Sequence, residues 1–577
     1  MKHINKLVGL MCGALALTGC VDKDPEEHYF PNPDVDFTYN VDGDEYVYDF
    51  YVVSTIQFNN TSSKTGNFVW DFGDGTTSTE VSPLHKYAKA GVYDVTLTLE
   101  GVGTRKYPLL VYDIVPVLSV DEQSTEIVEF DNTTLTFNLE LPNPENLRVK
   151  YVWTFPEGTV DAAGNPVTQF TGYSDEQGNV EYPEPVKFKN IGSQRVDIQT
   201  WFDTEGENRR LEDTYLNVQV GVAEPCPTLY YAQRGGNIKA LKLLDEIPAG
   251  TKVLPYDLGV PSGATVLNLA YADVEVATEE GEPEVQGWIY IPDAGKQYYY
   301  INDEDGVLGD GQITAMRTDG TGVNTVITNV GGAAFNDPFH TFVSGGNLYY
   351  GDRNTGFSSI ALTARGEVQG KNSSNQRDSY VATNQTIPYY GRGIAYGAIS
   401  NGIYKDKSGC WWWGKRYNGV GIFRFKDTDI YKTQAEAEKV PMPYPIVMAD
   451  VKMSAFAIDE ARNKLYVWRT SPSPGLLELP LPGPTATVTD KEAVKYIAMD
   501  ADPVNTTTDE GIYVSQFAID QTNGRVYFCY RPNTGDESGV TAGINYYDPA
   551  TQKVVHYSES TDLGTGIVIN PNPTQLF

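Results

Sequence analysis

Five arginines stand at one recurring position in the second half of this 577-residue chain. The stretches around them include LYYAQRGGNIKAL from Leu229, LYYGDRNTGFSSIAL from Leu348 and WWWGKRYNGVGIF from Trp411. FAIDEARNKLYVW (Phe456–Trp468) and FAIDQTNGRVYFC (Phe517–Cys529) align without gaps, 61 positions apart. Arg234, Arg353, Arg416 and Arg531 follow a central aromatic (Tyr230, Tyr349, Trp412, Tyr527) by four positions, and Arg469 follows Tyr466 by three. A sixth stretch, YYYINDEDGVLGDGQITAM from Tyr298, has Asp303 there instead. A guanidinium group offers a planar fork of donors that grips a carboxylate or sulfate with two bonds and stacks on rings. The nearby aromatics Tyr389, Tyr390, Tyr417 and Trp468 suit the apolar face of a sugar or of a side chain. Two readings stay open. Either the arginines present a cationic face to a ligand, or each pairs with an aspartate of the next unit, with Asp303, Asp352, Asp459 and Asp520 available.

The elements that position these residues are strands. Short runs of Val, Ile, Tyr, Phe and Thr are broken by Gly, Asn and Asp clusters, and long helical periodicity is absent, which is an all-β pattern. Each unit reads as strand, polar turn, strand. A single four-stranded sheet per unit covers its two faces only when stacked radially between neighbours. Residues 223–577 are therefore expected to form a six-bladed β-propeller, closed by the terminal strand Thr565–Asn570 beside the first blade. Met316-Arg317-Thr318-Asp319-Gly320-Thr321 resembles the strand end of a YWTD or NHL-type propeller blade. The resemblance implies that the loops between second and third strands share the face where ligands usually bind, gathering the five arginines there. In such blades the tryptophan run is packing, with Trp411 and Trp413 toward one neighbour and Trp412 toward the other.

Upstream, FVWDFGDGTTSTEVSPLHKYAKAGVYDVTLTL (Phe68–Leu99) resembles the PKD domain, an Ig-like β-sandwich. Gly73 and Gly75 supply positive φ in a tight turn, and Asp71 and Asp74 cap its amides, a structural role. Tyr151–Thr159 and Phe188–Ile198 echo the same pattern without the Gly-Asp-Gly turn. Residues 34–116 and 117–222 are thus read as two sandwiches acting as a stalk. At the start, Lys2 and Lys6 precede a short apolar run, Leu7–Leu17, ending in Leu17-Thr18-Gly19-Cys20. This resembles a bacterial lipobox, with residues 1–19 as signal peptide and Cys20 as the lipidated residue. The acidic stretch VDKDPEE within the tether 20–33 resembles the surface-export signal of Bacteroidota lipoproteins.

A net charge of −33 argues against a nucleic-acid partner. Cys226, Cys410 and Cys529 are odd in number and far apart, so free thiols are expected rather than disulfides or zinc. His85, His340 and His556 are too scattered for a metal cluster or triad, and no metal or cofactor is expected. Asn302–Gly306 lacks the ligands that complete an EF-hand. No nucleophile elbow, phosphate loop or metalloprotease motif occurs, and no spacing singles out a carboxylate pair. The whole resembles an accessory outer-membrane lipoprotein of a Bacteroidota nutrient-uptake locus. That resemblance implies a non-catalytic binder of oligo- or polysaccharide beside a TonB-dependent channel and its lid lipoprotein. A peptide-binding or docking subunit, and a propeller lyase or glycoside hydrolase, remain the alternatives.

Overall fold

The computed structural model describes residues 33–577 except 42–49, 53, 121–127, 130–132, 142–146, 176, 203–209, 212, 277–283, 296–310, 328–337, 353–355, 363–378, 383–399, 416–420, 430–443, 502–513 and 560–563. The described chain is all-β, its helical turns being the 3-10 segments Asp427–Asp429 and Asp490–Glu492.

Alternation along Gly91–Leu99 builds the first sandwich. Val95, Leu97 and Leu99 point inward and Thr96 and Thr98 outward. This strand lies in a five-stranded sheet beside Phe68–Asp71 and Gly103–Tyr112, and a sheet of Phe37–Val41, Ile56–Asn60 and Leu84–His85 accompanies it. Phe37, Phe58 and Trp70 meet between them with ring centroids 5.0–6.5 Å apart. The second sandwich repeats the plan around Gly192–Phe202, Val149–Thr154 and Thr214–Gly221, with Phe137, Trp153 and Phe155 in its core. The buried apolar residues of both sandwiches form one continuous cluster that includes Ile114, between them, and Leu118 in the strand Val117–Val120 of the second. Such a join is stiff, unlike a polar linker.

From Cys226 onward the chain forms six antiparallel sheets; in sheets two to six the strands lie in sequence order, the first strand innermost. The innermost strands of sheets two to six are Ala270–Val276, Pro338–Ser344, Ser400–Lys405, Lys452–Asp459 and Ala518–Ile519. Sheet one takes its innermost strand from the end of the chain, Gly564–Thr574, which pairs with Cys226–Gln233. These six inner strands touch one another in cyclic order, a propeller-like ring.

The faces between sheets hold the core. Tyr230 and Ile238 of sheet one meet Ile289 and Met316 of sheet two. Trp288 and Tyr290 meet Leu348 and Tyr350 of sheet three. Trp411 of sheet four packs on Phe342 and Tyr349 of sheet three, at 6.0 and 4.5 Å, while Trp412 joins Phe456 and Leu465 of sheet five. The adjacent tryptophans thus face opposite neighbours, as strand alternation requires. Sheet six completes the circuit, Tyr527 and Ile544 packing with Leu229 and Ile567 of sheet one.

Sheet two departs from the expectation. Its second strand is Glu284–Asp293, paired with Gln312–Arg317. Tyr298–Tyr300 and Asp303 lie outside the described residues. Pro292 inside the real strand and the stronger tyrosine run after it draw a pattern reading about ten residues downstream.

Candidate functional site

The ring has two distinguishable ends. In sheet one, Cys226 pairs with Thr574 at one end, and Gln233 pairs with Gly564 at the other. The second sandwich is fixed at the Cys226 end. Ile191 N donates to Lys252 O (3.0 Å), Leu254 N donates to Ile191 O (2.8 Å), and Val222 N donates to Gln575 O (2.9 Å). Tyr256 donates its hydroxyl to Val220 O at 2.6 Å. Gly192 has φ +105°, and a Cβ there would lie 2.0 Å from Leu254 O, so only glycine allows the approach.

The hairpins joining first and second strands share this end. Arg462 of sheet five donates to the carbonyls of Gln521 (3.2 Å) and Thr522 (3.1 Å) in sheet six. Arg525 of sheet six donates to Asp245 O of sheet one at 3.0 Å. Connections between second and third strands, where the recurrent arginines sit, therefore emerge at the opposite end, away from the sandwiches.

Three of the five arginines are described there, and they differ. Arg234 and Arg531 are exposed. Arg469 is committed to its own sheet: it donates to Ser473 O (2.8 Å), pairs with Asp490 (2.9 Å) and lies 4.8 Å above the Tyr496 ring. Its carboxylate partner thus belongs to its own sheet rather than to the next one. Asp459 and Asp520 are also taken locally, Asp459 by Arg462 at 3.0 Å and Asp520 by Thr522 N at 2.8 Å. Trp468 does not face the surface. It is fully buried between sheets five and six against Phe528 and Tyr530, because alternation turns the residue before Arg469 inward. Arg353, Arg416, Tyr389, Tyr390, Tyr417 and Cys20 lie outside the described residues.

The turn residues of the first sandwich do structural work. Asp71 accepts from Gly73 N (2.9 Å), and Asp74 accepts from Thr76 N (2.9 Å) and meets His85 at 2.8 Å. Burial alone would raise the Asp74 carboxyl, but Thr76 and His85 hold it below the usual carboxylate range. Gly73 and Gly75 have φ of +77° and +91°. Cys226, Cys410 and Cys529 are free, and burial pushes the Cys410 thiol up to about 11. Among the described residues no three His, Cys, Asp or Glu side chains gather where they could hold a metal ion.

Down the middle of the ring runs a cavity of about 250 Å³, lined by the inner strands. Gln516 of sheet six crosses it, accepting from Leu269 N of sheet two and Ile567 N of sheet one, each at 2.8 Å. Asn268 accepts from Thr341 N (2.8 Å), tying sheet two to sheet three. No repeat motif signals these residues, since each acts across the ring rather than along its own sheet.

Residues 42–106 match the PKD domain family. Over 104 residues the chain is 33% identical to collagenase ColA of Bacillus cereus, a stretch covering 17% of this chain and 11% of that protein. Over 50 residues it is 50% identical to the pre-pro-metalloprotease PrtV of Vibrio cholerae, covering 8% and 5%. The chain thus spans about a tenth or less of these curated relatives. Among solved structures, a quinonprotein alcohol dehydrogenase-like protein of Bacteroides thetaiotaomicron aligns over 78% of this chain and 98% of its own, at 13% identity and a TM-score of 0.33. A DUF4784 family protein of Bacteroides caccae aligns over the same shares at 11% identity and a TM-score of 0.29. The ring rests on its own sheet order rather than on these loose overlaps.

Proposed function

We propose that this chain is a lipid-anchored cell-surface protein that binds extracellular oligo- or polysaccharide without cleaving it, beside a TonB-dependent outer-membrane channel and its lid lipoprotein. In this reading residues 34–116 and 117–222 are a two-domain stalk, and residues 223–577 are a six-bladed propeller head. The observation that carries it is the separation of the ring's ends: the sandwich joins at one, and the connections bearing Arg234 and Arg531 emerge at the other. A stalk on one side leaves the opposite face open to a polymer. Cys20 and the acidic tether supply the anchor and its export.

Affinity electrophoresis in gels holding neutral or uronate-bearing polysaccharides, with product analysis, tests the reading. Retardation by at least one polymer is expected, with no new reducing ends and no unsaturated sugars. Replacing Arg234 and Arg531 together with alanine is expected to weaken binding about tenfold, the worth of one or two charge-assisted contacts. Arg469→Ala is expected instead to lower stability by about 1 kcal/mol, because its contacts are internal. Released products would replace this reading with an enzymatic one, and retardation by no polymer would end it. A second reading, binding of a protein ligand, is favoured by the likeness of a 104-residue stretch of this chain to part of a collagenase. Retention on a collagen column but by no glycan would select it.

A further inference from the structure

Twenty residues line the central cavity, and none is Asp, Glu, Lys or Arg, in a chain that is 21% charged. A charged ligand entering there would lose its hydration without gaining a counter-charge. The lining is not wholly apolar, however. His340, on the inner strand of sheet three, is 2% exposed, and Ser515, just before that of sheet six, is 4% exposed. Neither ring nitrogen of His340 nor the Ser515 hydroxyl has a hydrogen-bond partner within the protein. The Ser515 backbone leans toward the histidine ring but completes no bond to it. Buried polar atoms in folded proteins are nearly always paired, so these three atoms call for a partner from outside the chain.

Two other polar side chains of the lining are already engaged. Both ends of the Gln516 amide bond the backbone of Leu269, and the Asn268 oxygen holds the amide and hydroxyl of Thr341. Burial pushes the His340 pKa down to about 3, so the ring is neutral at physiological pH. A neutral imidazole donates from one nitrogen and accepts at the other, which matches a hydroxyl group that does both. Phe342 and Phe456 give the same cavity aromatic walls. Its lining reaches the surface at Gln521, an exposed residue of the hairpin 520–525, at the sandwich end of the ring.

We propose that this cavity is a binding site for a small uncharged polyhydroxylated molecule of monosaccharide size, held by hydrogen bonds to His340 and Ser515 and by contact with Phe342 and Phe456. The site is independent of the arginine-bearing end and does not require polymer binding there. Several waters would fit in the same space, but the aromatic walls offer them no bonds, whereas one amphipathic molecule meets both linings.

The test uses the full chain labelled with ¹⁵N at histidine, of which there are five. Methyl glucoside and methyl galactoside are titrated as neutral probes, with glucuronate and glucosamine as charged ones. The ring ¹⁵N signals of His340 are expected to move with at least one neutral probe while those of His85 and His556 stay fixed. Ser515→Ala, which removes an unpaired hydroxyl and so spares the fold, is expected to weaken that binding about tenfold, the worth of one buried hydrogen bond. His340 signals unmoved by both neutral probes, equal response to the charged ones, or unchanged affinity in Ser515→Ala would each overturn the proposal. A chain that binds polysaccharide in gels but shows no His340 response would lose this site and keep the surface reading. The converse result would do the opposite.

Discussion

Lys242→Met is expected to lower the stability of the ring by about 3–5 kcal/mol, because it orphans several buried acceptors at once. The Lys242 side chain is fully buried where the first and last strands of the ring meet. Its three N–H donors are shared among four oxygens, Cys226 O (2.8 Å), Thr228 Oγ1 (2.8 Å), Thr574 O (2.7 Å) and Thr574 Oγ1 (2.8 Å). All four are neutral oxygens, so burial is not offset by a counter-charge and pulls the pKa down to about 8. Cys226 opens the second strand of sheet one, and Thr574 ends the innermost, so this one cation fastens the two ends of the ring. Hydrogen exchange should show the amides of Gly564–Thr574 losing protection in the variant. A pH signature accompanies the loss. Between about pH 8 and the ordinary lysine value near 10.4, the unfolded chain holds a proton that the folded chain has released. Unfolding free energy therefore rises with pH across that window in the wild type. In Lys242→Met this contribution is gone. Above pH 10 buried tyrosines such as Tyr230, raised by desolvation, reverse the trend in both proteins. A loss below about 1 kcal/mol with unchanged protection would mean that the lysine fastens nothing.

Arg424→Ala is expected to cost about as much, roughly 3–5 kcal/mol, at the seam between sheets four and five. Arg424 lies in the third strand of sheet four and is 1% exposed. It donates to Gly483 O (2.8 Å), Pro445 O (2.9 Å) and Ala486 O, and its guanidinium stands 5.0 Å from the Trp412 ring. Burial draws its pKa down. Truncation leaves those carbonyls without donors and opens a void over the tryptophan. Arg424→Lys should not restore stability, since one ammonium cannot reproduce a planar fork aimed at three oxygens. Denaturant unfolding gives the size of the effect, and near-ultraviolet circular dichroism reports the Trp412 environment. Rescue by lysine would show that charge, rather than the shape of the donor group, matters at this seam.

The first sandwich was legible because its turn is local: Trp70 to Gly75 carries the strand, the capping acids and the glycines in six consecutive positions. Sheets five and six were legible for the same reason, their hairpins repeating as Phe-Ala-Ile-Asp. Sheet two was misplaced because Pro292 interrupts a strand that burial, not propensity, maintains. Of the recurrent arginines, Arg469 is engaged within its own sheet. Whether Arg469 finds a partner depends on Asp490, 21 residues away on a 3-10 turn. The braces between sheets fell to Arg462 and Arg525, which stood unremarked in the same repeats. Lys242 left a signal that could have been used. It sits in phase with Ile238 and Ala240 on an inward-facing row. His340, alone in Pro338-Phe339-His340-Thr341-Phe342, left none, since its neighbours come from the far side of the ring.

Spin labels at positions 234, 531 and 252, carried on non-canonical amino acids so that native thiols are untouched, test most directly whether the arginine connections share the end remote from the stalk. The strand Cys226–Gln233 spans eight residues, about 26 Å at roughly 3.3 Å per residue. With the ring closed as described, labels at 234 and 531 will lie nearer to each other than either lies to 252, which will be about a strand length or more from both. A label at 531 as close to 252 as to 234 would put the arginines on opposite ends, and the binding face proposed for this protein would not exist.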